Sequence, residues 1–294
     1  MNFPWGAFAL GLAPAAGASA LVLGATWLLS RRRGIYRYVD SAWGFAFAFL
    51  AAVSWLFAYG SQGTDGSRGL GDPVRAGLAA ALTIVWGLRL GVHIARRGRG
   101  KGEDPRYDRM LSKAPEGTPR PRYALRVVTL PQAALVWLVS VPVQAAVLLP
   151  YGTWWVTWAG VALWALGLFF EAVGDAQMAR FKSDPAHKGK LIDVGLWRWT
   201  RHPNYFGDFA VWWGLWLLTL PAAGAPAAAW GPAAATLVSP LLMTYLLVFG
   251  SGKRLTERGM AEREGWERYA ARTSGFLPWP PGVWPKGRGD RPRG

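Results

Sequence analysis

Long stretches of this chain carry no charged side chain. They cover residues 1–30, 41–64, 127–170 and 209–252, and each of the last two is 44 residues long. A helix needs about 20 apolar residues to cross a bilayer, so each of these two stretches has room for two crossings. Buried helices of a large soluble protein rarely form charge-free hairpins of this length. The pattern therefore predicts membrane-spanning helices.

Turn signals divide both long stretches near their middles. Pro150-Tyr151-Gly152 interrupts the first and residues 221–226 interrupt the second, with the proline and glycine that end helices. A further apolar stretch, residues 76–95, is broken only by Arg89. We therefore expect an all-α, polytopic integral membrane protein with seven transmembrane helices. The first span has no basic start and is too long for a cleavable signal peptide.

Lysine and arginine are concentrated in alternate segments of the chain. Of 33 such residues, 30 lie in 31–37, 96–126, 180–201 and 253–293. The positive-inside rule then places the N-terminus outside and the C-terminus in the cytoplasm. Taken as a total, the net charge of +16 would suggest a nucleic-acid partner. Its division among four loops argues against a nucleic-acid partner.

The third predicted span carries two polar residues near its cytoplasmic end. Arg89 and His93 are four residues apart and share one helix face. An arginine within a span is costly and marks a candidate functional site, although Arg89 is close enough to the end to reach the headgroups instead. Arg68 and Arg75 fall in the predicted outer segments. The chain has no cysteine, which excludes a disulfide scaffold and a cysteine nucleophile.

Two carboxylates mark the inner end of the fifth predicted span. Glu171 and Asp175 are four residues apart, so they stack on one face and repel each other unless cations or donors separate them. Such groups suit hydrogen bonds from ribose or amide groups, or pairing with arginine. No metal is expected, because the nearby histidines do not have ligand spacing.

The sequence Arg201-His202-Pro203-Asn204-Tyr205 precedes the sixth predicted span. Pro203 suits the first turn of a helix, and a residue before proline avoids helical geometry. The free N–H groups and the positive dipole end of that helix, flanked by Arg198 and Arg201, predict an anion site. The alternative is an ordinary helix start beside positive-inside arginines. After the last span, residues 251–278 alternate charge with aromatic side chains, as a membrane-surface helix does.

Five motifs between about residues 40 and 280 resemble those of a known family of membrane proteins. They are Trp86–Leu90, Gly102–Tyr107, Phe170–Lys182, Gly195–Asp208 and Ser251–Pro278. The chain resembles the bacterial branch of the steroid 5-alpha-reductase-like membrane proteins, a branch often described only as a domain of unknown function. This resemblance implies the inner (plasma) membrane of a bacterium. The Arg-His-Pro-Asn-Tyr string is also similar to one in sterol C14 and C7 reductases. A looser form occurs in isoprenylcysteine and phospholipid methyltransferases.

The resemblance implies a fold and an activity. It implies one seven-helix reductase domain over residues 1–280, with the 5-alpha-reductase-like part at about 85–280, and a flexible basic tail at 281–294. A cavity open to the cytoplasm would hold NADPH. The reaction would be reduction of a carbon–carbon double bond in a lipid or steroid-like enone that enters from the bilayer.

The resemblance also implies site residues. The expected NADPH-binding residues are Arg89, Arg97, Arg99, Glu171, Asp175, Lys182, Arg198, Arg201, His202, Asn204, Tyr205, Asp208, Glu257, Tyr269 and Arg272. Reduction of an enone needs an acid as charge develops on the carbonyl oxygen, and Tyr107, His93 and Asp40 are three candidates that stay open. The family's glutamate for the substrate carbonyl has only Asp40 and Tyr59 as stand-ins, which leaves a steroid substrate in doubt.

Two other functions fit parts of the pattern. An S-adenosylmethionine-dependent membrane methyltransferase of the isoprenylcysteine type would share the Arg-His-Pro-x-Tyr string and the later Glu257. A non-enzymatic lipid-binding or transport protein is the other alternative. Transporters usually carry internal repeats and polar residues at mid-membrane depth, whereas the polar residues of this chain lie at the inner ends of the spans.

Overall fold

A computed structural model describes residues 2–60, 70–250 and 252–281 of the chain. Within these residues the fold is helical, without a strand beyond a single parallel bridge between Thr200 and Ser274. The helices are Trp5–Arg33 (α1), Tyr38–Gly60 (α2), Pro73–Gly98 (α3), Pro105–Leu111 (α4), Arg120–Ala124 (α5), Leu130–Val139 (α6), Val141–Ala146 (α7), Trp155–Ser183 (α8), Pro203–Leu217 (α9), Gly231–Thr236 (α10), Val238–Val248 (α11), Lys253–Met260 (α12) and Trp266–Arg272 (α13).

Shorter turns join some of these helices. A π-turn at Leu125–Thr129 links α5 to α6, so that helical backbone runs almost unbroken from Arg120 to Ala146. Turns of 3-10 type lie at Pro185–His187, Gly195–Arg198 and Ala227–Trp230. The predicted tail at 281–294 lies outside the described residues apart from Pro281, and Arg68 lies outside them as well.

Six of the described helical segments are long and apolar enough to cross a membrane. They are Trp5–Arg33, Tyr38–Gly60, Pro73–Gly98, Arg120–Ala146, Trp155–Ser183 and Ala227–Met260. The prediction of an integral membrane protein made of helices is thereby confirmed.

The sixth of the seven predicted spans differs from the others. It corresponds to α9, which has 15 residues and is therefore only about 22 Å long, against a hydrocarbon core of about 30 Å. Proline enters its first turn, and the chain leaves helical geometry before Pro221. Among the described residues, six of the seven predicted spans are thus helices of full spanning length, and a crossing by α9 stays a prediction.

Contacts divide the chain into two compact units. Unit 1 comprises residues 1–158 and 215–239, and unit 2 comprises 159–214 and 240–294. In unit 1, α2 and α3 touch along their backbones, because a Cβ built on Gly44 would lie 2.3 Å from the carbonyl oxygen of Gly87. Small residues at helix contacts allow this close approach in membrane proteins.

Arg75 is the main polar link within unit 1. The sequence places it in an outer segment as a topology charge, but it is fully buried in the first turn of α3. Its guanidinium donates to the carbonyl oxygens of Gly152 (2.6 Å), Leu218 (2.5 Å) and Leu220 (3.3 Å). These carbonyls lie where the backbone is not helical, so the arginine supplies the hydrogen bonds that a helix would have supplied.

Glycines at intervals of seven residues bring α8 and α9 together in unit 2. A Cβ built on Gly214 would lie 2.7 Å from the carbonyl oxygen of Gly160, and one built on Gly207 would lie 2.5 Å from that of Gly167. About two turns further along α8, Gly174 faces Pro203 at the start of α9. The two helices therefore run antiparallel in backbone contact, and α9 begins beside the last turns of α8.

The contact at Gly207 predicts a large effect of a single methyl group. In Gly207→Ala the new Cβ would meet only backbone and Cβ atoms of α8, so the helices must separate, and we expect a loss of about 1–3 kcal/mol in the free energy of unfolding. The measurement is thermal unfolding in detergent. Gly77→Ala is the control, because a Cβ there meets nothing within 4 Å and alanine favours a helix. Equal stability of the two variants would contradict this packing.

Candidate functional site

The segment that precedes α9 is held against α8. The backbone N–H of Leu196 donates to the side-chain oxygen of Gln177 (3.0 Å), and the Trp197 indole N–H donates to the carbonyl oxygen of Gly174 (3.0 Å). Gly195 has φ of +57°, and a Cβ there would lie 2.2 Å from the Gln177 amide, so this turn requires glycine. The sequence around Arg201 is thereby fixed in position by α8.

The last described part of the chain lies along the same segment. The carbonyl oxygen of Trp199 accepts from the N–H of Trp279 (2.8 Å), and the Arg201 N–H donates to the carbonyl oxygen of Ser274 (2.9 Å). The Tyr269 hydroxyl, which is buried, donates to the carbonyl oxygen of Trp197 (2.7 Å). Burial raises the pKa of Tyr269, so this hydroxyl keeps its proton and remains a donor.

Arg201 is engaged by the protein itself. Its Nε donates to Glu257 Oε1 (2.8 Å), and its Nη1 donates to the carbonyl oxygens of Ala270 (2.9 Å) and Thr273 (2.8 Å). The guanidinium also lies over the ring of Trp266, 5.5 Å from its centre. Three of its five N–H groups thus hold the C-terminal segment. Arg201 therefore does not direct all of its N–H groups toward a bound anion.

Glu257 on α12 gathers three nitrogen groups around one carboxylate. Oε1 accepts from Arg201 Nε (2.8 Å) and lies 3.1 Å from His202 Nε2, while Oε2 lies 3.2 Å from Lys253 Nζ. Only 17% of the Glu257 side chain and 13% of the Arg201 side chain are exposed. We call these four residues the Glu257 cluster. It joins the start of α9 to α12 within unit 2.

His202 is the buried member of the Glu257 cluster. Burial lowers its pKa below the ordinary histidine value, and the hydrogen bond with Glu257 opposes that shift. The neutral imidazole can still donate from Nε2 to the carboxylate, which leaves Nδ1 as an acceptor. The ring stacks on that of Tyr205 at 5.2 Å. The Tyr205 hydroxyl lies 3.1 Å from Thr256 Oγ1, which ties the first turn of α9 to α12 again.

The two predicted carboxylates of α8 lie beside this helix start. Glu171 and Asp175 are both buried, and they flank Gly174, whose Cβ position faces Pro203 and the backbone nitrogen of Asn204. A Cβ on Gly207 would also meet Cβ of Glu171. Glu171 therefore belongs to the α8 surface against which α9 packs, and Asp175 follows one turn later on the same helix.

A second polar cluster lies in unit 1. The Tyr107 hydroxyl donates to Asp40 Oδ1 (2.5 Å), and Arg106 Nη2 donates to Asp40 Oδ2 (3.0 Å). Glu103 fixes the preceding loop by accepting from the backbone N–H groups of Tyr36 (2.5 Å) and Arg37 (2.9 Å). Burial and then the Asp40 carboxylate raise the pKa of Tyr107. Two of the three candidate acids thus form one hydrogen-bonded pair.

The remaining predicted residues are less enclosed. Arg89 and His93 are half-buried on α3, and Asn204 and Asp208 are half-buried on α9. The exposed predicted residues are Arg97, Arg99, Lys182, Arg198 and Arg272. Among these, Arg272 forms an ion pair with Asp193.

Sequence reasoning missed several residues that build the unit 2 site. Gln177 and Trp197 position the segment before α9, and Lys253 completes the Glu257 cluster. For Lys253 a signal was present, because it precedes Glu257 by four residues and such pairs meet on a helix. For the other two, the polar atoms bond to backbone groups of distant residues, which leaves no pattern in the sequence.

Neutralising Glu257 is expected to destabilise unit 2. In Glu257→Gln, Arg201 and Lys253 lose their counter-charge in a largely buried place, and we expect a loss of about 2 kcal/mol or more in unfolding free energy. Thermal and denaturant unfolding in detergent measure it. The control is Asp108→Asn, which breaks the exposed pair with Arg120 and should cost at most about 1 kcal/mol. A loss for Glu257→Gln no greater than the control's would show that the cluster contributes little.

Comparisons with known proteins place the chain in a family. The model of a family described as "Protein of unknown function (DUF1295)" matches residues 26–273. A Lamin-B receptor from Drosophila melanogaster is 27% identical over 142 residues, which cover 44% of this chain and 18% of the receptor. No solved structure matches the chain. Because the family match covers most of the sequence, the protein belongs to the DUF1295 family.

Proposed function

We propose that this protein is a membrane-embedded reductase that uses NADPH to reduce a carbon–carbon double bond of a lipid or steroid-like enone. The observation that carries the proposal is the grouping of reductase-like motif residues around the first turn of α9. Buried carboxylates of α8 lie on one side of that turn, and the Glu257 cluster lies next to it in the chain and in space. A plain topology signal would need only exposed lysine and arginine.

The residues of unit 2 suit a dinucleotide by their chemistry. Lys182 and Arg198 are exposed cations that can pair with phosphates, and the first N–H groups of α9 favour an anion. Carboxylates such as Glu171 and Asp175 can accept from ribose hydroxyls and from a carboxamide. Arg201 stays an expected NADPH contact, although its Nε and Nη1 donate to Glu257 and to the carbonyl oxygens of Ala270 and Thr273. NADPH, when bound, supplies the hydride.

The pair in unit 1 suits proton transfer to a carbonyl oxygen. The raised pKa of Tyr107 keeps its hydroxyl protonated at neutral pH, and Asp40 and the buried surroundings hold that hydroxyl in one orientation. When its one proton turns from Asp40 to a bound substrate, such a phenol can donate to the enone oxygen on which negative charge develops. Of the three candidate acids, Tyr107 is therefore the one we favour, with Asp40 as the residue that positions it.

Binding of NADPH tests this function directly. Purified protein at a nucleotide concentration about 100 times its Kd should gain about 2.7 kcal/mol of stability, seen as a rise in Tm. Asn204→Ala should lose that gain, because Asn204 lies in the first turn of α9. Tyr107→Phe should keep it while oxidation of NADPH by an added enone lipid slows by at least about tenfold, a lower bound for loss of a general acid.

Other ligands give the results that would overturn the proposal. Stabilisation by S-adenosylmethionine with none by NADPH would assign a methyltransferase. Stabilisation by neither NADPH nor S-adenosylmethionine, in protein that remains folded, would favour a lipid-binding or transport role. A normal NADPH response of Asn204→Ala would move the site away from α9.

We also propose that α9 crosses the membrane despite its length, with the N-terminus outside and the C-terminus in the cytoplasm of a bacterium. The basic segments support this, since 30 of 33 lysines and arginines then lie on one side. The absence of cysteine allows a test by single cysteines. With an impermeant maleimide on intact cells, Ala223→Cys should be labelled and Ser183→Cys should not. Equal labelling of both would show that α9 does not cross.

A further inference from the structure

A small pocket opens beside α12, and none of the residues that line it belongs to the Glu257 cluster. It has a volume of about 280 Å³ and is lined by Phe249, Gly250, Arg254, Leu255 and Arg258. All of these residues belong to unit 2. No part of the reductase proposal uses them, so the pocket calls for a separate account.

The two arginines of the pocket differ from the basic residues next to them. Lys253 pairs with Glu257, whereas Arg254 and Arg258 lie about 100° further around the helix axis and are exposed. Within the described residues neither has a hydrogen bond, an ion pair or a ring contact. Like charges four residues apart destabilise a helix. An anion held between the two guanidinium groups would remove that repulsion.

Two apolar side chains also line the pocket, where the last hydrophobic stretch ends, and we call them its apolar floor. Phe249 is 61% exposed and Leu255 is 47% exposed, although both adjoin the first charged residues after residues 209–252. Gly250 has no side chain to fill the space between them. Its backbone lies so close to Leu246 that a Cβ there would be 3.0 Å from the Leu246 Cα. The pocket thus offers two cations beside two exposed apolar side chains at the end of the last charge-free stretch.

We propose that this pocket binds an anionic phospholipid, with the headgroup phosphate between Arg254 and Arg258 and the acyl chain along Phe249 and Leu255. Arginine pairs with phosphate through parallel N–H groups, and basic pockets at helix ends of membrane proteins suit acidic headgroups. A zwitterionic choline lipid also carries a phosphate, but its ammonium group is repelled by the same two arginines. A lipid can place its acyl chain on the apolar floor, whereas free phosphate has no apolar part to place there.

Lipid binding by a double variant tests the site. Phosphatidylglycerol is titrated into delipidated protein in detergent, and bound lipid is counted by native mass spectrometry. Arg254→Gln with Arg258→Gln should weaken binding about 30-fold, as expected for two arginines beside an anionic headgroup. The matched control is Arg122→Gln with Arg126→Gln, an exposed pair of the same spacing in unit 1, which should change the affinity less than about threefold, well under a tenfold step.

Three outcomes would overturn the site. Equal weakening in both double variants would mean that the lipid responds only to total charge. Equal affinity for phosphatidylglycerol and phosphatidylcholine would remove the acidic headgroup as the determinant. Displacement of the lipid by inorganic phosphate or by NADPH at similar concentration would assign the pocket to a soluble anion. The double variant should keep its NADPH response, so the lipid site and the reductase proposal stand or fall separately.

Discussion

Each backbone polar group of a membrane protein must find a partner inside the protein, and this constraint explains most polar contacts of the fold. A helix satisfies the hydrogen bonds of its own backbone, so backbone N–H and C=O groups need other partners mainly where helices end. Arg75 meets it in unit 1 by donating to three carbonyl oxygens outside regular helix. Arg201 meets it in unit 2 by donating to the carbonyls of Ala270 and Thr273 at the end of α13. In both units a long, permanently charged donor reaches several carbonyls that no neighbouring turn could serve.

The same constraint connects the fold to the candidate site. Once Arg201 is committed to the C-terminal segment, its charge needs a nearby carboxylate, and Glu257 supplies it. Glu257 then sets the tautomer and position of His202, whose ring lies against Tyr205 in the first turn of α9. The same residues therefore satisfy backbone groups and arrange the candidate site.

Sequence patterns predicted the spans better than the site. The charge-free stretches identify membrane helices because bilayer crossing depends on local composition alone. The pairing of Glu171 with Asp175 on one face followed from helical periodicity and is present in α8. The contact of Glu257 with Arg201 and His202 joins residues more than fifty positions apart, and no local rule gives that distance. The sequence pattern also did not predict that α9 is short, because an apolar stretch continues past Leu217 after the helix has ended.

Arginine illustrates why composition alone misleads in this chain. The total charge of +16 treats Arg75, Arg201 and Arg254 as equivalent, yet their surroundings differ in kind. Arg75 is fully buried among carbonyls, and Arg201 is shared between carbonyls and one carboxylate. Arg254 is exposed beside an apolar floor. A buried arginine whose guanidinium donates to several carbonyls contributes to folding and has fewer donors left for a ligand. An exposed arginine with open donors contributes little to folding, and its chemistry is directed at something outside the chain.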